Sequence, residues 1–214
     1  MSKKKINYFS SSSIVIPSKT KTFLSRLAFP LLSLLSREQS LKIGLTPIDD
    51  ERVIFALKKV HGKLLDIGCG ANNFVKSYGS GTGVDIANWD GVDVVVKDTS
   101  KLPFKKNTYD TVSYLACLNH IPNRDEAVIE AYRVTKKDGT LIITMITPLM
   151  GRFIHWWRFK NDPDHQERHL DHDHELMGMS PKHIKEIVEK AGFEDLKRKR
   201  FVYGMNNIYT AIKK

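Results

Sequence analysis

A carboxylate lies directly beside a glycine turn in residues 63–73, which read Lys-Leu-Leu-Asp-Ile-Gly-Cys-Gly-Ala-Asn-Asn. The apolar start has no helical period and predicts a buried strand. Asp66 precedes Gly68 and Gly70, and these glycines let the backbone turn where a ligand can approach it closely. A carboxylate at this position repels a pyrophosphate, so the turn is poorly suited to a phosphate-bearing dinucleotide and favours a cationic ligand.

Two further aspartates end or follow the next apolar runs. Asp85 lies near the end of residues 81–86, roughly 20 residues past the glycine turn, where an open α/β sheet places an acid on ribose hydroxyls. Asp98 follows the run at residues 92–96, and its carboxylate can accept a hydrogen bond from an adenine amino group. Because parallel strands share their carboxyl edge, we expect all three acids to line one crevice.

Short apolar runs alternate with helical patterns along most of the chain. Helices are predicted at 49–60, at 124–136 with Gly139 as its end, and at 181–191, and later strands at 108–118, 140–146, 193–202 and 206–213. This alternation predicts an α/β fold with a Rossmann-like doubly wound sheet, mostly parallel, with right-handed crossovers and helices on both faces.

These segments together resemble the class I S-adenosylmethionine-dependent methyltransferases. The resemblance covers residues 45–146 well, and its motifs are Leu-Leu-Asp-Ile-Gly-Cys-Gly at 64–70, Gly-Val-Asp-Ile at 83–86, Val-Val-Lys-Asp-Thr at 95–99, and the segments 109–114 and 133–144. It implies an antiparallel last strand and S-adenosylmethionine as the cofactor. The implied cofactor-binding residues are Asp66, Gly68, Gly70, Asp85, Ile86, Asp98 and Thr99.

The charge of this cofactor agrees with the acid in the turn. S-adenosylmethionine carries a sulfonium and an ammonium, so the carboxylate of Asp66 is electrostatically favourable beside it. Its methyl group is already activated, and the protein chiefly has to align the acceptor and exclude water. A hydroxyl acceptor must also lose a proton, which a histidine with a near-neutral pKa can remove.

Three histidines are candidates for this general base: His120, His169 and His172. His120 follows the fourth predicted strand in Leu-Asn-His-Ile-Pro. Its alternative role is structural, with the imidazole capping backbone groups at the strand end. The other two lie in residues 155–175, which are rich in His and Asp and contain a Trp pair. We interpret residues 147–180 as an acceptor-side insertion or lid; a solvated polar loop and a metal site are the alternatives, and no metal is predicted.

The first 44 residues form a separate region, a basic arm before a methyltransferase domain at 45–214. No acid precedes Glu38, while seven Lys and Arg residues do, in a chain of net charge +10. Residues 22–36 show an amphipathic pattern interrupted by Pro30. Three roles are open for residues 22–37: they could contact a membrane surface, cover the substrate cleft as a lid, or form a helix that packs on the domain. An organelle transit peptide is a further alternative for this region. The sequence contains no run of about 18 uncharged apolar residues, so no transmembrane helix is predicted.

The predicted function is methyl transfer from S-adenosylmethionine to a small-molecule acceptor, at an oxygen of a metabolite, a lipid-linked intermediate or a sugar. The alternatives are an RNA methyltransferase, which would use the basic residues 197–200, and a non-catalytic S-adenosylmethionine-binding protein. Residues 118–122 lack the Asn/Asp-Pro-Pro-aromatic corner of base-amino methyltransferases, so nucleic acid is not the favoured acceptor. Two cysteines without metal-like spacing indicate a reduced, cytoplasmic protein. The sequence leaves the oligomeric state open.

Overall fold

The computed structural model describes residues 37–42, 48–152, 176–201 and 206–214. Its helices are α1 (Arg37–Lys42), α2 (Ile48–Leu57), α3 (Asn73–Tyr78), α4 (Arg124–Val134) and α5 (Pro181–Lys190), with further helical residues at 148–152. Its strands are β1 (Leu64–Ile67), β2 (Gly81–Asp85), β3 (Val94–Val95), β4 (Tyr109–Leu115), β5 (Thr135–Ile146), β6 (Glu194–Phe201) and β7 (Asn206–Ile212). The predicted amphipathic segment 22–36 lies outside the described residues.

The described strands form one sheet in the order β3-β2-β1-β4-β5-β7-β6. The first five pair in parallel, and β7 pairs antiparallel with both β5 and β6. The predicted α/β class, the parallel sheet and the antiparallel last strand are therefore confirmed. Because β1 lies in the middle, its carboxyl end and the glycine turn after it sit where the strand order reverses, which is where open α/β sheets bind ligands.

Helices cover both faces of the sheet, as predicted. On one face, Ala56 of α2 and Phe74 and Val75 of α3 pack with strand residues in one buried cluster. On the other face, a larger buried cluster includes Val128 of α4 and Ile184 of α5. Strand residues alternate between the two clusters, so apolar side chains cover both faces of the sheet. None of the described helices is long and apolar enough to cross a membrane.

The predicted end of helix 124–136 at Gly139 was wrong. Helix α4 ends at Val134, and β5 begins at the next residue. The last helical carbonyls are already satisfied from elsewhere: Thr108 N donates to Val134 O at 2.8 Å, and Thr135 Oγ1 donates to Ala131 O at 2.6 Å. A terminal glycine is therefore not needed to satisfy them. Gly139 instead lies inside β5, within the register shift against β4 that separates the paired residues Thr135 and Thr140.

Two predicted strands are shorter than expected. The third strand, predicted at 92–96, is limited to Val94 and Val95, although the backbone N–H groups of Asp93 and Val96 on either side also donate to β2 carbonyls, at 3.2 and 2.9 Å. The fourth, predicted at 108–118, ends at Leu115. Ala116 then adopts a positive φ of 57°, a conformation that a residue with a Cβ adopts only at some cost. The chain therefore turns sharply just beyond the carboxyl end of β4.

Candidate active site

The glycine turn after β1 has one closed side and one open side. Gly68 has φ of 71°, and a Cβ there would lie 2.7 Å from the Cys117 side chain. Gly70 has φ of 52°, and a Cβ there would meet no heavy atom within 4 Å. Both positions need glycine for their backbone conformation, but only Gly70 borders free space. The turn thus exposes its backbone to a ligand at Gly70.

The turn is tied directly to the acid at the end of β2. Gly70 N donates to Asp85 Oδ2 at 2.9 Å, and Ala87 N donates to Asp85 Oδ1 at 3.0 Å. Asp85 is buried, and each carboxylate oxygen keeps further acceptor capacity for a ligand hydroxyl. Ile86 follows with 43% of its surface exposed, which offers an apolar surface next to the acid. The arrangement fits a ribose on Asp85 with a flat apolar ring beside Ile86.

Asp66 is the most perturbed acid of the site. It is buried in β1, and Ser113 Oγ on β4 donates to its Oδ1 at 2.7 Å. Burial raises the pKa of Asp66 from 3.8 to about 7; the Ser113 hydrogen bond opposes this change and the nearby Asp85 charge adds to it. A buried carboxylate of this kind is stabilised in its charged form by a cation. The ammonium of S-adenosylmethionine is such a group.

Asp98 is held ready as a hydrogen-bond acceptor after β3. Its Oδ1 accepts from Ser100 N at 2.8 Å, from Ser100 Oγ at 2.8 Å and from Asn123 Nδ2 at 3.0 Å. The Asn123 hydrogen bond, followed by those from Ser100, lowers the pKa of Asp98. The described residues contribute no hydrogen bond to its other oxygen. Asp98 therefore stays charged with one oxygen available for an amino group, while its neighbour Thr99 is buried.

The segment after Asp98 is braced by α4. Glu130 Oε1 accepts from Leu102 N at 2.8 Å, and Arg133 donates to Phe104 O at 2.8 Å while pairing with Glu130 at 2.7 Å. The backbone at 102–104 is thus fixed by a charged pair on a helix. Sequence reasoning missed both charged residues, because Glu130 is 28 residues from Leu102 and Arg133 is 29 residues from Phe104 in the chain.

His120 lies in a short 3-10 turn, Leu118–His120, just beyond β4. Asn119 Nδ2 donates to Leu176 O at 3.0 Å, which fixes its amide orientation because a carbonyl only accepts. The same amide nitrogen lies 3.1 Å from His120 Nε2, so this ring nitrogen accepts in the present arrangement. His120 is thus at the predicted corner, with the Nε2 lone pair engaged by Asn119.

The other two candidate bases, His169 and His172, lie outside the described residues. The two described ends of this segment meet: Gly151 packs so closely on the Met177 carbonyl that a Cβ could not fit, and Met179 N donates to Ile146 O at 3.1 Å. The chain therefore leaves and returns beside the carboxyl end of β5. Among the described residues, no cluster of His, Cys, Asp and Glu could hold a metal ion.

Cys69 lies inside the glycine turn, and Cys117 lies beside it. Cys117 Sγ donates to Ile67 O at 2.9 Å and packs on Gly68. Burial, reinforced by Asp66 and other nearby acids, raises the pKa of the Cys69 thiol. Cys69 therefore stays a neutral thiol, and both cysteines are free. The contacts of Cys117 indicate a packing role.

The fold and the sequence comparisons place this chain among known proteins. It superimposes on a methyltransferase of Thermotoga maritima with a TM-score of 0.61 and 20% identity, over 91% of this chain and 98% of the other. It superimposes on a phosphoethanolamine N-methyltransferase of Haemonchus contortus in complex with S-adenosylmethionine with a TM-score of 0.53 and 16% identity, over 76% and 52% of the two chains. These likenesses establish the fold.

The family follows from sequence. A methyltransferase domain model matches residues 46–198, and the chain belongs to the class I S-adenosylmethionine-dependent methyltransferases. A ubiquinone/menaquinone biosynthesis C-methyltransferase of Allorhizobium ampelinum is 30% identical over 117 residues, which are 52% of this chain and 44% of that protein. An uncharacterised protein of Methanocaldococcus jannaschii is 25% identical over 171 residues, 72% and 79% of the two chains. The chain thus spans less than half of the quinone methyltransferase that it matches.

Proposed function

We propose that this chain transfers a methyl group from S-adenosylmethionine to a small-molecule acceptor. The observation that carries the proposal is the hydrogen bond from Gly70 N to Asp85, with open space on the other side of Gly70. It joins the glycine turn and the ribose acid into one preformed surface. The family membership supports the same cofactor.

Each acid has a distinct part in holding the cofactor. Asp85 accepts hydrogen bonds from the ribose hydroxyls, and Asp98 accepts one from the adenine amino group beside Ile86 and Thr99. Asp66 balances the ammonium group from its buried position. The open side of Gly70, next to Gly68, lets the cofactor lie against the backbone. When bound, the cofactor supplies a methyl group that its sulfonium has already activated.

The acceptor lies on the side of residues 147–180, beyond β4 and β5. This assignment is supported by the contact of Gly151 with Met177 and by the hydrogen bond of Leu176 N to Asn119 O at 3.0 Å, which bring the described ends of the segment to His120. One of His120, His169 and His172 takes a proton from an acceptor hydroxyl. For His120 to do so through Nε2, the Asn119 amide must give up its contact with that atom.

An oxygen of a metabolite, a lipid-linked intermediate or a sugar is the proposed acceptor atom. Some relatives are named as C-methyltransferases of quinone biosynthesis. Ring carbons of phenols and quinols should therefore also be tested as methyl acceptors. Both acceptor types must lose a proton, so replacing the true base with asparagine should remove the acidic limb of the pH–rate profile, in which the rate rises with pH as the base loses its proton. Contact of residues 22–37 with a membrane surface remains part of the proposal and can be tested with vesicle sedimentation.

A direct binding measurement tests the cofactor part. Calorimetric titration should give micromolar affinity for S-adenosylmethionine and S-adenosylhomocysteine and no binding of NAD, the control for a dinucleotide site. Label transfer from methyl-labelled S-adenosylmethionine to a panel of phenols, quinols and sugars then tests the reaction. If neither sulfur ligand binds, the proposal is wrong. If both bind and no acceptor in any class is labelled, the non-catalytic alternative gains support.

One observation favours a second candidate, an RNA acceptor. Residues 197–200 are all basic and exposed, and they lie on β6 at the edge of the sheet. Charged residues also protect edge strands from unwanted pairing, so the pattern has a simpler explanation. RNA binding that falls steeply with salt, and that weakens when Lys197 and Lys199 become glutamine, would support this candidate.

A further inference from the structure

Asn72 occupies the position after the glycine turn where glycine-rich turns can carry a third glycine. It has φ of 61° and ψ of 28°, is 2% exposed, and precedes the first residue of α3. Its side-chain nitrogen donates to Asp93 Oδ2 at 2.8 Å and to Gly91 O at 3.0 Å. A glycine could adopt this backbone conformation, but it could make neither bond.

Asp93 extends this contact to the backbone of β2. Its Oδ2 also accepts from Gly83 N at 2.7 Å. Gly83 in turn faces the Asn72 amide so closely that a Cβ at Gly83 would collide with Asn72 Oδ1. We call these contacts the Asn72–Asp93 bridge. The bridge joins the glycine turn, β2 and the connection to β3 into one unit.

The bridge lies directly behind the cofactor surface. Asn72 is two residues from Gly70, whose N–H donates to Asp85, and Gly83 is two residues before Asp85 in β2. Both ends of the Gly70–Asp85 hydrogen bond are therefore held from behind by the same bridge. A turn with two glycines has many accessible conformations when it is free, and fixing it before binding raises affinity.

We infer that Asn72 is a positioning residue for the cofactor, which holds the Gly70 N–H on Asp85 through the Asn72–Asp93 bridge. The inference rests on the cofactor site proposed above. It assigns to Asn72 a role in affinity that its backbone conformation alone does not require. The competing explanation is that Asn72 serves only because asparagine tolerates a positive φ.

Asn72→Gly separates these two explanations because it keeps the backbone conformation and removes the amide. We expect this variant to bind S-adenosylmethionine about tenfold more weakly, as befits the loss of a hydrogen bond to a charged group. Amide hydrogen exchange at Gly70 should become faster, while exchange in β4 and β5 stays unchanged. The matched control is Asn73→Ala, which changes the next residue, whose side chain makes no hydrogen bond among those of the described residues, and should leave affinity unaltered.

A second pair of variants tests the bridge by rescue. Gly83→Ala alone should weaken S-adenosylmethionine binding because the new methyl group displaces the Asn72 amide. In the Asn72→Gly background the same change should have little further effect, because the Asn72 atoms that crowd Gly83 are gone. A purely structural role at either position predicts additive losses instead.

The outcomes separate the inference from the proposed function. If the unaltered chain binds and Asn72→Gly binds within twofold of it, with Gly70 exchange unchanged, the inference is overturned and the proposed function stands. If the unaltered chain fails to bind, the proposed function falls. In that case unchanged Gly70 exchange in Asn72→Gly also overturns the inference. Additive losses in the double variant overturn it as well.

Discussion

Replacing Asp66 with asparagine should stabilise the cofactor-free chain at alkaline pH while weakening cofactor binding. Asp66 is 2% exposed, and burial raises its pKa from 3.8 to about 7. Asparagine resembles the protonated acid in shape, and its carbonyl can keep the hydrogen bond from Ser113. The variant therefore removes the buried negative charge and little else.

The magnitude follows from linkage. Because the pKa is raised in the folded chain, the carboxyl group favours folding below about pH 4, and this contribution is lost as pH rises toward 7. The difference between the two pKa values corresponds to a free energy of unfolding on the order of 4 kcal/mol. Asp66→Asn should therefore gain stability relative to the unaltered chain between pH 5 and 8, by up to about that amount, and level off above it.

Urea unfolding at a series of pH values, without cofactor, measures this difference. Calorimetry at pH 8 should show that the same variant binds S-adenosylmethionine more weakly, because the ammonium loses its partner. In the unaltered chain, affinity should rise with pH through about 7, with a proton released on binding below that pH. A stability difference independent of pH, or a variant less stable than the unaltered chain at pH 8, would refute the reasoning.

Three further predictions concern the rest of the site. Gly70→Ala should lose some stability because of its positive φ, and should bind S-adenosylmethionine at least tenfold more weakly because its methyl group enters open space on the ligand side. Gly68→Ala should lose more stability in urea unfolding, because its methyl group also meets the Cys117 side chain. Asp85→Ala should abolish calorimetric binding, since it removes the ribose acceptor and the partner of Gly70; a loss of less than a few-fold would contradict the ribose assignment. Asn123→Ala should raise the pKa of Asp98, measurable by carboxyl NMR titration, and weaken binding a few-fold; an unchanged pKa would refute that link.

Local patterns predicted the elements that carry the residues proposed to bind the cofactor. The apolar run of β1, the glycines after it and the acid ending β2 follow one another within about 20 residues, and a strand, a turn and a helix start can be read over such distances. The Gly70–Asp85 hydrogen bond spans 15 residues. Placing both residues on one crevice required only the order of the strands.

Partners distant in the chain could not be predicted in this way. Ser113, which bonds to Asp66, is 47 residues away, and Asn123 is 25 residues from Asp98. Both are common polar residues, and nothing in their neighbours distinguishes them from solvent-exposed ones. Asn72 directly precedes a helix, and asparagine is common there, yet its amide bonds to Asp93, 21 residues later. Such pairs depend on strand register, which only the folded chain defines.

The contact between Gly151 and Met177 affects how this chain can diverge. Because those two residues touch, the described chain leaves the sheet and returns to it at one place. The free-energy cost of closing a flexible loop rises by only about 0.6 kcal/mol when the length of the loop doubles. Insertions and deletions there leave β1, β2 and the glycine turn untouched. Chimeras that exchange the stretch between Gly151 and Met177 among family members should therefore retain cofactor binding, and a change of acceptor in such chimeras would support the proposed acceptor side.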